Sequence, residues 1–230
     1  MMILGWRDNV DNDHIMPSNG YSVNMNPPVR KDQTARPYHH GDLRQALIDA
    51  GLRLIETRAE DDLGLRELAR EVGVSPTAIY RHFPDKQALK AALAGAGLVR
   101  LAVSQQQASA KAGGGAACFL ASGMAYVRFA AGQPVLFRLI FSHAAVDDLL
   151  DADPSRQSTA MRGLRDDVDR LVPPGCPAAE RKALALHAWA LVHGLARLVL
   201  DQQIPPDWAL IERVLAGMVT LLGNGRTAPG

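Results

Sequence analysis

Between Ser75 and Lys86 the sequence crowds hydroxyls at Ser75 and Thr77, a phenol at Tyr80, a guanidinium at Arg81, an imidazole at His82 and an ammonium at Lys86. These groups exchange hydrogen bonds and carry positive charge, which is the chemistry that holds phosphate oxygens and reads base edges. Bond-breaking needs a nucleophile, a base and an orienting group in one place, and this stretch has no such set. The rest of the chain has no Gly-x-Ser-x-Gly elbow, no His-Glu-x-x-His and no cysteine pair at metal-ligand spacing. His187 and His193 are six residues apart, on largely different sides of a helix, so they make no simple metal clamp. Cys176 stands in a Pro-Gly loop with no cationic or histidine neighbour in sequence and reads as an inert thiol. Neither a metal nor a cofactor is expected.

The elements that must position the polar cluster lie in the run LRELAREVGVSPTAIYRHF, Leu65 to Phe83. Leu65, Leu68, Ala69 and Val72 recur at three- and four-residue spacing, leaving Arg66, Glu67, Arg70 and Glu71 to water. Gly73 can end that helix in a left-handed conformation, Val74 drops into the core, and Ser75 caps a second helix with Pro76 at its first position. In the second helix Ala78, Ile79 and Phe83 pack inward, while Thr77, Tyr80, Arg81 and His82 point outward. Two short helices joined this tightly read as a helix-turn-helix whose outer face suits the major groove. The competing reading is an ordinary helical corner with a solvated polar face.

With YHHGDLRQALIDAGLRLIE before it and PDKQAL after it, the stretch from Tyr38 to Leu89 resembles the DNA-binding domain of TetR-type transcriptional regulators. The run AIYRHFPDKQAL is its most specific part. Two departures stand out: Gly64 replaces the Ser or Thr that commonly caps the first motif helix, and residues 59–62 replace a glycine-bearing turn. The resemblance covers about a quarter of the chain. It implies contact with double-stranded DNA at a palindromic operator, most often as a repressor, and supports a phosphate contact for Lys86. Thr77, Tyr80 and His82 would approach base edges or adjacent phosphates, with Ser75 and Lys86 fixing the duplex through phosphates.

Composition agrees with a helical protein of this size. The 230 residues are 47% apolar, and two cysteines cannot make a disulfide framework. No charged-then-apolar leader is evident, so a cytoplasmic protein is expected. The run Ala183 to Leu200 barely reaches spanning length and carries His187, His193 and Arg197, so no membrane span is expected. A formal net charge of +1 denies the chain a basic surface overall, and DNA contact must rely on local patches.

The expected fold is all-α: an N-terminal three-helix DNA-binding domain and a C-terminal helical domain for ligand binding and dimerisation. Residues 1–36 show no periodicity and read as a disordered arm whose Arg30, Lys31 and Arg36 can lie along phosphates. Residues 37–84 hold the DNA-binding domain. Its first helix runs from near Asp42 to about Arg58, with His39 and His40 where a phosphate can sit at the helix start. Residues 85–112 form a connector helix with Lys86 in its first turn. Gly95 and Gly97 each cost that helix about 1 kcal/mol relative to Ala, which marks either a hinge or a close helix contact. KAGGG at 111–115 reads as a linker, residues 113–224 as the C-terminal domain and residues 225–230 as a tail.

In the C-terminal half, Phe119, Met124, Phe137 and Phe141 concentrate the bulky apolar mass, with His143 as a polar contact at the end of a helix. They serve either as plain core or as the lining of a pocket for an apolar effector. An Asp-rich loop covers Val146 to Arg156, and a surface helix follows from Ser158 to Leu171. The segment HAWALVHGLARL resembles the Trp-His-Gly signature of one group of TetR-like C-terminal domains through Trp189, His193 and Gly194. Trp189 and His193 face either that cavity or the core. The last two helices, Ala178 to Gln202 and Pro206 to Leu222, are apolar enough to need partners on several sides. Trp208, Ile211, Leu215, Met218 and Leu222 are therefore expected at a four-helix homodimer contact. The resulting expectation is a DNA-binding regulator released from its operator by a small apolar ligand. The alternatives are a regulator controlled by a protein partner and a helical enzyme or carrier with an incidental helix-turn-helix.

Overall fold

Apolar side chains at helical spacing dominate this sequence, and the described residues answer with helices and the turns between them. The computed structural model describes residues 43–57, 63–143 and 158–223, with side chains as far as residue 220. The expectations for residues 1–36, His39, His40, residues 59–62, the Asp-rich loop, the tail and the Leu222 side chain lie outside the described residues. Along the chain come α1 (Leu43–Thr57), α2 (Leu65–Val72), α3 (Pro76–Tyr80), α4 (Lys86–Ala110), α5 (Gly115–Gly132), α6 (Pro134–His143), α7 (Thr159–Leu171), α8 (Ala178–Leu200) and α9 (Trp208–Gly223).

One hydrophobic core joins the two ends of this array. Leu47, Leu52 and Ile55 of α1, Leu68 of α2 and Ile79 of α3 belong to the same buried cluster as Leu89, Leu93 and Leu101 of α4. That cluster continues through Tyr126 and Phe129 of α5 and Leu136, Phe137 and Ile140 of α6 to Ala196 of α8. The helix α4 therefore carries a single buried stripe from the helix-turn-helix into the C-terminal helices. The glycines at 113–115 form the turn of a hairpin in which α5 doubles back against α4. The boundary expected at residue 112 thus falls between two helices that pack on each other. Two smaller clusters complete the C-terminal half. Phe119, Val168, Ala185, Ala188 and Met218 pack between α5, α7, α8 and α9, and Met124, Val127, Leu195, Ile211 and Leu215 pack between α5, α8 and α9.

Helix ends follow local chemistry. Asp85 starts α4 by accepting from the Ala88 amide at 2.7 Å, Ser158 starts α7 by accepting from Met161 N at 3.3 Å, and Asp207 Oδ1 accepts from the first amides of α9 at 3.0–3.1 Å. Although α8 is long and apolar enough to cross a membrane by length and composition, it packs against α5, α7 and α9.

The two glycines inside α4 do different things. A Cβ at Gly97 would come within 2.7 Å of Leu136 Cδ1 and 2.9 Å of Ile140 Cγ1, so this glycine lets the side chains of α6 lie against the α4 backbone. Nothing lies within 4 Å of a Cβ at Gly95. Gly97→Ala is expected to destabilise the protein by about 1–2 kcal/mol, since Leu136 and Ile140 are themselves buried and must move. Gly95→Ala is expected to stabilise it by up to about 1 kcal/mol through helix propensity. Urea unfolding of both variants beside the parent protein measures the difference.

Candidate DNA interface and effector cleft

The turn between α2 and α3 is closed by backbone bonds that the sequence dictates. Gly73 adopts φ +76°, its amide donates to Arg70 O at 3.2 Å, and the Val74 amide donates to Ala69 O at 2.8 Å. This pairing is a Schellman motif, which needs a residue free of the Cβ penalty at Gly73. Gly64 precedes α2 in an extended conformation with no side chain to cap it. Ser75 Oγ accepts from the Ala78 amide at 3.2 Å, so its oxygen is engaged in capping while its O–H proton remains available to a phosphate.

Helix α3 ends at Tyr80, earlier than the expected Phe83. The His82 and Phe83 amides both close back on Ile79 O, at 3.0 and 2.9 Å, and Pro84 follows with no amide to donate. Phe83 turns into the core beneath the Arg44 guanidinium, 5.4 Å from the ring centre. Thr77, Tyr80 and Arg81 are left exposed, while His82 and Lys86 are half-buried. Tyr80 keeps 47% of its surface in solvent, a large exposed aromatic residue on a five-residue helix.

The residues expected to line one apolar cavity are dispersed. Phe119 sits in the cluster beneath α7, Met124 lies with α9, and Phe137 and Phe141 belong to a third group around Tyr126. His143 closes α6. Trp189 and His193 join the third group: His193 lies 4.6 Å from Phe141, 5.7 Å from Phe137 and 5.7 Å from Trp189, centre to centre. Its Nδ1 is 2.9 Å from Tyr126 Oη. Burial raises the pKa of the Tyr126 hydroxyl above its ordinary value, with the neighbouring Trp189 pulling the other way. The Trp189 Nε1 is buried near that hydroxyl but makes no hydrogen bond of ordinary geometry. Burial, then the charge of Arg197, holds His193 below the usual imidazole range. A protonated phenol donating to a neutral imidazole satisfies both groups and places the imidazole proton on Nε2. Tyr126 was not among the residues singled out from the sequence, because nothing near it in the chain hints at a partner 67 positions away.

A cleft opens elsewhere, between α4, α5 and α7. Its outer part holds about 330 Å³ and has a polar lining that includes Gln105, Ser109, Ser122, Asp166, Asp167 and Arg170. Gln105 Nε2 donates to Ser122 Oγ at 3.2 Å across the α4–α5 contact, and Arg170 pairs with Asp167. Gln105, Ser122, Leu164 and Asp167 also line a smaller inner space of about 20 Å³, walled by Phe119, Leu191, Val192, Leu215 and Met218. Of the residues expected at a ligand, only Phe119 borders this cleft.

Helix α9 turns its large apolar residues toward its own chain. Ile211, Leu215 and Met218 are buried among α5, α7 and α8, and Trp208 is half-buried beneath the Arg128 guanidinium at 5.6 Å. As core residues of the protomer, Ile211, Leu215 and Met218 are not on offer to a second subunit. The large apolar side chains left exposed on these helices are Leu186 and Leu198 of α8 and Leu210 and Val214 of α9.

A capped helix-turn-helix with exposed polar side chains, rigidly joined to a helical body that contains a cleft, defines a DNA-binding regulator. The chain belongs to the TetR family: the model for bacterial regulatory proteins of the tetR family matches residues 47–93, and that for the tetracyclin repressor-like C-terminal domain matches residues 119–222. It is a transcriptional regulator of that family. The C-terminal match does not single out the Trp-His-Gly group. A Rhodococcus sp. RHA1 protein of unknown function is 30% identical and superposes with a TM-score of 0.59, over 83% of this chain and 98% of that one. A tetR-family transcriptional regulator from Streptomyces coelicolor, 23% identical, shares the fold with a TM-score of 0.55 over 77% of this chain and 81% of that one. An uncharacterized HTH-type transcriptional regulator from Haemophilus influenzae is 30% identical over 103 residues, 44% of this chain. That match spans about half the length of the relative, 50%.

The buried imidazole makes stability depend on pH. A histidine whose folded-state pKa is lowered takes up its proton more readily when unfolded, so its contribution is fully present above the unfolded value of about 6.5 and is lost as pH falls below it. Between that value and the lowered folded one, the melting temperature should fall with decreasing pH. In His193→Phe this part of the pH dependence should disappear, as measured by thermal melts between pH 5 and pH 8 on the two proteins (a range of about 1.5 units either side of the free imidazole).

Proposed function

We propose that this regulator acts as a cytoplasmic homodimeric repressor on a palindromic operator and leaves it when a small molecule fills the cleft between α4, α5 and α7. The observation that carries this reading is that one wall of the cleft is α4 itself, through Ala102, Gln105, Gln106 and Ser109. The other end of that helix packs on α1 and follows α3 directly. A molecule that favours one position of α4 changes the placement of the two recognition helices in the dimer. To lower operator occupancy a hundredfold, its affinities for the two positions must differ by about 2.7 kcal/mol in sum.

For the DNA contact, the support is the exposure of Thr77, Tyr80 and Arg81 on one short helix beside Ser75 and Lys86. His82 is half-buried and suits an adjacent phosphate better than a base edge. For the dimer, the support is the apolar outer surface of α8 and α9. Leu186, Leu210 and Val214 would meet their symmetry mates in an isologous contact.

Gel-shift titration on the DNA upstream of the protein's own and neighbouring reading frames tests the whole scheme. A discrete shift that survives nonspecific competitor is expected, and it serves as the probe in a screen for releasing compounds. Ser122→Leu, which fills the cleft, should make such a compound ineffective, whereas release that persists in the variant puts the effector elsewhere. Lys86→Ala should weaken binding to all sequences alike and lower the salt slope of log K by about one per subunit, while Tyr80→Ala should change the ranking of operator variants. The double variant Leu210→Asp, Val214→Asp should sediment as a folded monomer. Leu215→Asp should instead unfold, because it buries an unpaired charge.

A further inference from the structure

On the reading of this cleft as the effector site, we infer that the effector is a compact organic cation, an amine whose charged head takes the place of Arg170 at Asp167 and whose short apolar end points into the inner space. The inference rests on the sign and depth of the charges. The acidic and basic side chains among the described residues of the outer lining are Asp166, Asp167 and Arg170, two negative and one positive. They are not equally placed. The Asp167 side chain is 10% exposed and lines both the outer and the inner space, whereas the Arg170 side chain is 61% exposed.

A carboxylate this far from water needs a cationic or donor partner, and here it has one that stands mostly in solvent. An ion pair with one end in water contributes little, so Arg170 is released at small cost. A ligand ammonium reaching the same oxygens is held in a drier place and has its remaining protons facing Ser122 and Gln105, whose oxygens accept. An anionic ligand would find Arg170 but would have to lie beside both carboxylates. A neutral alcohol could donate one hydrogen bond to Asp167 but would bring no charge to offset the carboxylate's.

The walls set the size. Beyond Asp167 the space narrows to about 20 Å³ between Phe119, Leu191, Val192, Leu215 and Met218. That admits the end of a slim alkyl chain and excludes a fused ring system. Gly123 contributes to this narrowing by having no side chain: a Cβ there would stand 3.3 Å from Leu215 Cδ1 and 3.4 Å from Val192 Cγ1.

The test uses the full-length protein and three small probes, propylamine, 1-propanol and propanoate, titrated by calorimetry and followed by thermal shift. Propylamine should bind most tightly. Asp167→Asn should weaken it by about tenfold to a hundredfold, the loss of a charge-assisted bond, while weakening propanol far less. Arg170→Gln should tighten propylamine by removing its competitor, a gain that a merely structural role for the pair does not produce. Propanoate binding more tightly than propylamine, equal affinity for all three probes, or weaker amine binding in Arg170→Gln would each overturn the cation assignment. Failure of propylamine to bind overturns it as well. If propanol or propanoate binds in its place, the cleft stands as a ligand site of another class. The effector reading itself falls only if release from DNA persists in Ser122→Leu.

Discussion

Everything in this molecule hangs on the buried stripe of α4. Leu89, Leu93, Leu101 and Ala94 are withdrawn from solvent entirely, and Gly97 sits where α4 meets α6 too closely for any side chain. Each leucine contributes about 1.5–3 kcal/mol of burial. Those contributions are shared between partners at both ends of the chain: α1 and the helix-turn-helix on one side, α5 and α6 on the other. A helix held this way cannot be displaced at one end without disturbing the packing at the other. Close-packed protein interiors switch between discrete arrangements instead of bending smoothly. The stability of the fold and the mechanical link between its halves are therefore the same set of contacts.

The polar pair at the heart of the aromatic group obeys a different constraint. Tyr126 and His193 are carried by α5 and α8 and are surrounded by Phe137, Phe141 and Trp189. An unpaired hydroxyl or imidazole in such surroundings would cost several kcal/mol, about 2–7 by transfer measurements. One hydrogen bond satisfies both groups and fixes the rotation of α8 against α5. A purely apolar contact tolerates small slips of one helix past the other, whereas this bond admits one register. The indole nitrogen of Trp189 lies buried in the same group, near the Tyr126 hydroxyl and short of a full hydrogen bond to it.

The parts of the molecule legible in the sequence are those whose chemistry is local. The Schellman turn at Gly73, the Ser75 cap and the alternation of buried and exposed residues along α2 all act within one turn of their own backbone, and each is where its residue types require. Periodicity also located the C-terminal helices to within two residues or so. What periodicity cannot supply is the direction in which an apolar face points. Ile211, Leu215 and Met218 mark one face of α9, but whether it meets its own chain or a second copy depends on where α5 and α8 lie. The same limit applies to the cleft. Gln105, Ser122 and Asp167 come from three helices, and none is remarkable beside its neighbours in sequence. The bulky Phe and Met residues drew notice for their size, and size mostly fills cores.

Cleft and connector meet at one bond, and its place in the structure bears on how a bound molecule would be felt. Gln105 of α4 donates to Ser122 of α5 at 3.2 Å in a part-buried position where the outer cleft narrows. Such a bond contributes only about 0.5–1.5 kcal/mol net, but leaving its partners unsatisfied in a dry place costs more. Water or a ligand head must therefore take up both groups once they part. The opposite wall, α7, is attached through the small cluster around Val168 and Phe119, whereas α4 is attached through the large one. A molecule that only pushed would displace α7 and leave α4 where it is. If the cleft takes the effector as proposed, coupling to the DNA-binding end would come from a molecule that replaces the Gln105–Ser122 bond with bonds of its own, so that α4 gains a second position of comparable energy. On the proposed reading, hydrogen-bonding chemistry at the mouth of the cleft, more than the volume filled behind it, separates an effector from a bystander.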